Sequence, residues 1–136
     1  MKTLLVMMAC LLCASPAFAG YVVIVNAGNG AEVSMSDVKK IYLGKKGAFS
    51  NGENAIPITL SEGDAVRGQF NDGVLNKNEG QYVAYWSKMV FTGNGVPPRE
   101  VATMQEVKDL VAKNPSTIGF IDESLVDGSV KVVGSF

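Results

Sequence analysis

The spacing of apolar residues along the chain changes period several times, and each change predicts an element. Tyr21-Val22-Val23-Ile24-Val25, ending at Asn26, is apolar and β-branched without alternation, the pattern of a strand buried on both faces of a sheet. It is expected to be the first and central strand. Gly28-Asn29-Gly30 marks a turn. Ser34-Met35-Ser36-Asp37 has capping-box spacing, and Val38, Ile41 and Tyr42 follow at helical intervals until Gly44 supplies a C′ residue. A short amphipathic helix is expected there. Lys45 to Asn54 reads as a polar surface loop, and Ala55 to Leu60 as a strand. Pro57 cannot donate to a ladder, which places that strand at or near an edge.

Ser61-Glu62-Gly63-Asp64 again carries the Ser-x-x-acid spacing of a helix start, with Val66, Phe70 and Val74 recurring every fourth residue. After a break at Asn76 to Asn78, Tyr82, Tyr85, Trp86 and Met89 fall on one helical face, which reads as core. Thr92 to Pro98 holds two glycines and two prolines and must be a loop. Thr103-Met104-Gln105-Glu106 is a capping box ahead of Val107, Leu110 and Val111, and Asn114-Pro115 stops that helix. Thr117 to Ile121 and Val130 to Val133 are the last strands. The predicted order is β-α-β-α-α-α-β-β, an α/β domain with a small mixed sheet flanked by helices.

The opening segment does not belong to that domain. Lys2, the apolar run Thr3 to Cys13 and the Ala17-Phe18-Ala19 triplet form the n-region, h-region and cleavage site of a secretory signal peptide, so residues 1–19 are expected to be removed and residues 20–136 to form one periplasmic domain. The apolar run is shorter than the ~20 residues of a membrane-spanning helix, and membrane insertion is not expected. Both cysteines, Cys10 and Cys13, lie in the removed segment, which leaves the domain to be held by packing alone.

Composition narrows the chemistry. The chain has no histidine, which closes Ser-His-Asp and Cys-His nucleophile systems and histidine-built zinc sites. With Lys2 gone the charge balance changes from 12 positive and 13 negative groups to a slightly acidic one, and no nucleic-acid partner is indicated. Asp122, Glu123 and Asp127 lack EF-hand spacing and read as solvated loop acids, Gly28-x-Gly30 as a turn, and Lys39, Lys40, Lys45 and Lys46 as a solvated helix end. No cofactor or metal is expected, and no enzymatic activity.

At Asp37-Val38-Lys39-Lys40-Ile41-Tyr42-Leu43-Gly44-Lys45 the chain resembles the IFxGK segment of PstS-type proteins, the substrate-binding components of phosphate ABC transporters. Pro57 to Phe70, Tyr85 to Gly95 and Asn114 to Phe120 are similar, in order, to further segments of short members of that superfamily. The resemblance implies a type 2 periplasmic-binding-protein-like fold, of which this length admits a single lobe. It also implies an oxyanion held by backbone amides at a helix N-terminus. Thr59 aligns with the family's Arg, and Gly63, Asp64 and Ala65 with its Ser-Gly-Thr, so the anion-gripping side chains are replaced here. The candidate anion site is then Ser61, Glu62, Gly63, Asp64, Ala65 and Arg67: free N–H groups at a helix start, with Arg67 as the nearest cation. Glu62 and Asp64 oppose an anion, and taken without the resemblance the same stretch reads as an ordinary capped helix start. Two functions follow. One is a non-catalytic solute-binding protein for phosphate or another oxyanion, its site closed by a second copy or an envelope protein. The other is a ligand-less protein-interaction or regulatory module on the same fold.

Overall fold

A buried, non-alternating strand needs cover on both faces, and β1 (Tyr21–Asn26) has it: Val22 through Asn26 are all buried in the computed structural model, which describes residues 20–136. The predicted signal peptide, residues 1–19, lies outside the described residues. The other elements are α1 (Met35–Tyr42), β2 (Ile56–Leu60), α2 (Ala65–Phe70), α3 (Glu79–Phe91), β3 (Arg99–Val101), α4 (Met104–Lys113), β4 (Thr117–Asp122) and β5 (Val130–Ser135). A single π-helical turn, Asn71–Leu75, extends α2 and ends at Asn76, whose φ of 55° is left-handed.

The sheet order is β3-β2-β4-β1-β5, with β2 parallel to β3 and β4, and β1 antiparallel to β4 and β5. This mixed sheet corrects one expectation: β4, not β1, is the middle strand. A continuous apolar run reports burial on both faces, a property every interior strand shares. Pro57 does sit near an edge, since only the three-residue β3 lies outside its strand. That outer strand escaped the sequence reading because Arg99 and Glu100 are polar and the run is too short to show a period.

Successive residues of a strand face opposite sides of the sheet, and β4 shows what each side meets. Gly119 lies against Val107 and Val111 of α4, with no room there for a β-carbon. Phe120 stacks on Phe70 of α2 at 4.2 Å between centroids, and Phe70 meets Tyr42 of α1 at 4.6 Å. The domain is therefore three layers, α4 on one face and α1 with α2 on the other. The β2–β4 ladder covers only Ile56↔Thr117 and Pro57↔Ile118. Where it parts, the buried Tyr42 hydroxyl stands 2.7 Å from the Ile58 carbonyl, to which it donates, and 3.2 Å from that of Ile118. Burial holds this phenol well above its ordinary pKa, so it remains a donor.

Local signals place the helix ends. At α1 the capping box is complete: Ser34 Oγ accepts from the Asp37 N–H, and Asp37 accepts from the Ser34 N–H, both at 3.1 Å. Thr103 Oγ1 accepts from the Glu106 N–H, but Glu106 reaches the Ala102 N–H instead of closing the box on Thr103. Among the described residues no helix is long and apolar enough to cross a membrane.

Candidate functional site

In open α/β sheets, ligands sit outside the carboxyl ends of parallel strands, where helix N-termini converge. Here β2 runs into the turn Ser61-Glu62-Gly63 and then into α2, so that turn lies at the carboxyl end of a parallel strand. Gly63, at a φ of +85°, makes the reversal that a side chain would resist. Ser61 anchors its start twice: its carbonyl accepts from the Asp64 N–H at 3.1 Å, and its hydroxyl donates to the Val101 carbonyl of β3 at 3.3 Å.

The cap of α2 is Asp64, three residues later than the Ser61 start that the spacing suggested. Asp64 Oδ1 accepts from the Val66 N–H at 2.8 Å and the Arg67 N–H at 3.3 Å. The acid of the Ser-x-x-acid pattern is itself the cap, a role Asp fills as well as Ser does. The six candidate residues thus form one corner. Ser61, Glu62, Gly63 and Ala65 are exposed on it, Asp64 is half-buried, and Arg67 lies beneath with 2 % of its surface exposed.

Arg67 is not an unengaged cation. Its Nη2 pairs with Glu79 Oε1 at 2.7 Å, while Nη1 pairs with Glu100 Oε1 and donates to the Leu60 carbonyl at 3.0 Å. The guanidinium also lies over the Tyr82 ring, 4.7 Å from its centroid. Burial disfavours the charge, but the hydrogen bond to Glu100 and the field of Glu79 outweigh it, and the pKa of Arg67 is raised. Burial likewise pushes Tyr82 up to about 12. Thr59, aligned above with a ligand-binding arginine, is buried in β2. Glu79 and Glu100 were not singled out from sequence. Each reads as a surface acid, on a helix first turn and an outer strand, and only the fold brings both to Arg67.

Beside this corner runs a groove of about 670 Å³. Arg67, Tyr82 and Trp86 are its buried lining, Glu62 and Glu100 contribute carboxylates, and Val83, Val90, Phe91 and Pro98 add apolar surface. Tyr82 and Trp86 of the aromatic stripe are core as expected, at 5 % exposure each. Elsewhere, the loop acids make local bonds: Asp122 accepts from the Ser124 N–H, and Asp127 accepts from the Ser129 N–H and pairs with Lys108 at 2.6 Å.

A structure assigned to a phosphate ABC transporter substrate-binding protein from Clostridium perfringens, with bound phosphate, superposes with a TM-score of 0.67 at 23 % identity, over 85 % of this chain and 44 % of that one. The chain has the fold of one lobe of such a protein. An ABC-type phosphate transport receptor from Vibrio cholerae follows at a TM-score of 0.65 and 19 % identity, over 85 % of this chain and 45 % of that one. PstS from Borrelia burgdorferi follows at 0.64 and 14 %, over 85 % of this chain and 47 % of the other. The lobe spans less than half the length of each of these neighbours. No family model matches the chain, and no curated protein matches it in sequence.

Proposed function

We propose that the protein is a non-catalytic, exported solute-binding lobe of the phosphate-transporter type, taking an oxyanion at the turn Ser61 to Ala65 with Arg67 behind it. The observation that supports this most is positional. The start of α2 stands at the carboxyl end of β2, in a fold shared with a protein described with bound phosphate. Helix N-termini offer N–H groups and partial positive charge to anions. Asp64 already uses the Val66 and Arg67 amides, so an incoming anion competes with an internal carboxylate. One lobe shields one side of a ligand, and a second copy or another envelope protein would supply the opposite wall. The absence of histidine from the sequence and the solute-binding character of the neighbours agree with a non-catalytic role. The signal-peptide pattern of residues 1–19 supports export to the periplasm.

A second reading is favoured by one observation: Asp64 already occupies the helix amides and Arg67 is already paired with Glu79 and Glu100, so the groups an anion would need are engaged within the lobe. On that reading the protein is a ligand-less interaction module. Calorimetric titration of residues 20–136 with phosphate, then sulfate, separates the two. Saturable phosphate binding that tightens in the Glu62→Gln/Asp64→Asn variant and weakens in Arg67→Ala supports the oxyanion lobe. No heat up to millimolar phosphate in the parent and in the double variant rejects it in favour of the module.

A further inference from the structure

Asn-Gly occurs three times in the chain, at Asn29-Gly30, Asn51-Gly52 and Asn94-Gly95. Glycine leaves its own nitrogen unshielded and its backbone free to turn, so in this dipeptide the main-chain nitrogen can attack the asparagine carboxamide. The glycine nitrogen bonds to the asparagine Cγ, the Cγ–Nδ2 bond breaks, and ammonia leaves with the proton that the glycine nitrogen gives up. Water then opens the cyclic imide. Opening at Cγ gives aspartate, and opening at the main-chain carbonyl gives isoaspartate, in which the chain runs through Cγ. No oxidant or cofactor enters. The fold decides which of the three steps is free to react.

Asn29 is buried and held by its side chain: Oδ1 accepts from the Ala31 N–H at 2.9 Å, and Nδ2 donates to the Pro115 carbonyl at 3.5 Å. Asn51 is exposed, but its turn occupies the nucleophile. The Gly52 N–H donates to the Phe49 carbonyl at 3.0 Å, and Asn51 Oδ1 accepts from the Glu53 N–H at 3.1 Å. Asn94 differs on both counts. Among the described residues the Gly95 N–H has no acceptor, and the side chain of Asn94 makes one exposed bond, from Nδ2 to Thr92 Oγ1 at 3.0 Å. We propose that Asn94 deamidates spontaneously in the folded protein, ahead of Asn51, while Asn29 is spared. The fold also supplies a reporter. A β-carbon on Gly95 would stand 3.1 Å from Trp86 Cζ3 and 3.3 Å from Met89 Cε, so the Gly95 backbone rests on the indole. Isoaspartate lengthens the main chain by a carbon just before Gly95, which must then move on that ring. Both products add a negative charge to the loop. The reaction does not depend on anion binding at Ser61 to Ala65.

The test ages the purified protein in mildly alkaline buffer, with and without urea, and follows the three steps by peptide mapping, isoaspartate being labelled with an isoaspartyl methyltransferase. In the folded protein Asn94 should be lost about fivefold faster than Asn51, the rate equivalent of the backbone hydrogen bond of about 1 kcal/mol that Gly52 must break. Asn29 should not change. In urea the three rates should converge, because the dipeptide is the same and the fold is gone. Asn94→Gln, at an exposed position, should remove the first acidic species seen on isoelectric focusing. Trp86 is the sole tryptophan of the chain, so its emission should shift as isoaspartate accumulates and stay unchanged in Asn94→Asp, which carries the charge on an unaltered backbone. Asn51 or Asn29 lost as fast as Asn94 in the folded protein overturns the assignment, as does a ranking that urea leaves in place. Emission that moves equally in Asn94→Asp overturns the coupling to Trp86.

Discussion

Trp86 covers Gly44 so closely that a β-carbon on Gly44 would stand 2.9 Å from the indole Cη2. Gly44 follows α1 with a φ of +70°, and the Tyr85 hydroxyl donates to the neighbouring Leu43 carbonyl at 2.6 Å. The end of α1 and the face of α3 are therefore fitted to each other through a position that has neither the space nor the backbone angle for a side chain. Gly44→Ala should cost about 3 kcal/mol, combining a left-handed residue at about 1–2 with overpacking at about 1–3. Gly52, with a φ of +87° but open space around it, isolates the backbone part, and Gly52→Ala should cost about 1 kcal/mol. Urea unfolding of both variants checks the difference.

Arg67 carries its charge in the interior, and its two carboxylate partners remain partly wet, Glu79 at 31 % and Glu100 at 51 % side-chain exposure. Arg67→Met should destabilise the domain by about 3 kcal/mol, the lower end for breaking a buried pair, because the stranded glutamates can hydrate. Adding Glu79→Gln and Glu100→Gln to that variant should restore at least half of the loss. A triple variant no more stable than the single one would mean that Arg67 acts through packing over Tyr82 rather than through charge.

Asp64 holds the first turn of α2 by accepting from two amides. Asp64→Ala should cost about 1 kcal/mol and Asp64→Asn distinctly less, since asparagine caps comparably. Measuring both in the presence and absence of phosphate separates the cap from the anion site. If phosphate stabilises Asp64→Asn more than the parent, the internal carboxylate and the ligand share the same amides.

Asp37 makes part of the stability pH-dependent. Hydrogen bonds from the Ser34 N–H and from Lys46, 3.0 Å away, lower its pKa from 3.8 to about 2. A folded-state value below the unfolded one stabilises fully above about pH 4, and that contribution fades as pH falls toward 2. Solvent screening limits it to about 1 kcal/mol. Asp37→Asn should therefore be less stable than the parent at pH 6, with the gap narrowing steadily as pH falls to 2, read from urea midpoints across that range.

What could be read from the sequence was whatever depends on neighbours in the chain. The capping box at Ser34, the Asn114-Pro115 stop and the burial of Tyr82 and Trp86 follow from spacings of three and four residues, and all stand in the fold. The resemblance at Asp37 to Lys45 and at Asn114 to Phe120 pointed to the lobe, although the three neighbours set beside it share only 14–23 % identity with it. The partners of Arg67 did not show. Glu79 and Glu100 are 12 and 33 positions away from it, and nothing local distinguishes them from solvated acids. β3 was equally silent, because a three-residue strand takes its identity from β2 beside it. Long-range pairing of charges and short outer strands are set by topology, which periodicity does not encode.

The sheet order has a consequence in time. Among the described residues β1 precedes the other four strands, yet its partners are β4 and β5, joining Tyr21 to Asp122 and Asn26 to Val130. While the ribosome is still at work, that apolar strand has no ladder to enter. Pairings so distant in sequence are slow to form. The sheet therefore closes on its β1 side only once β4 and β5 are available to it.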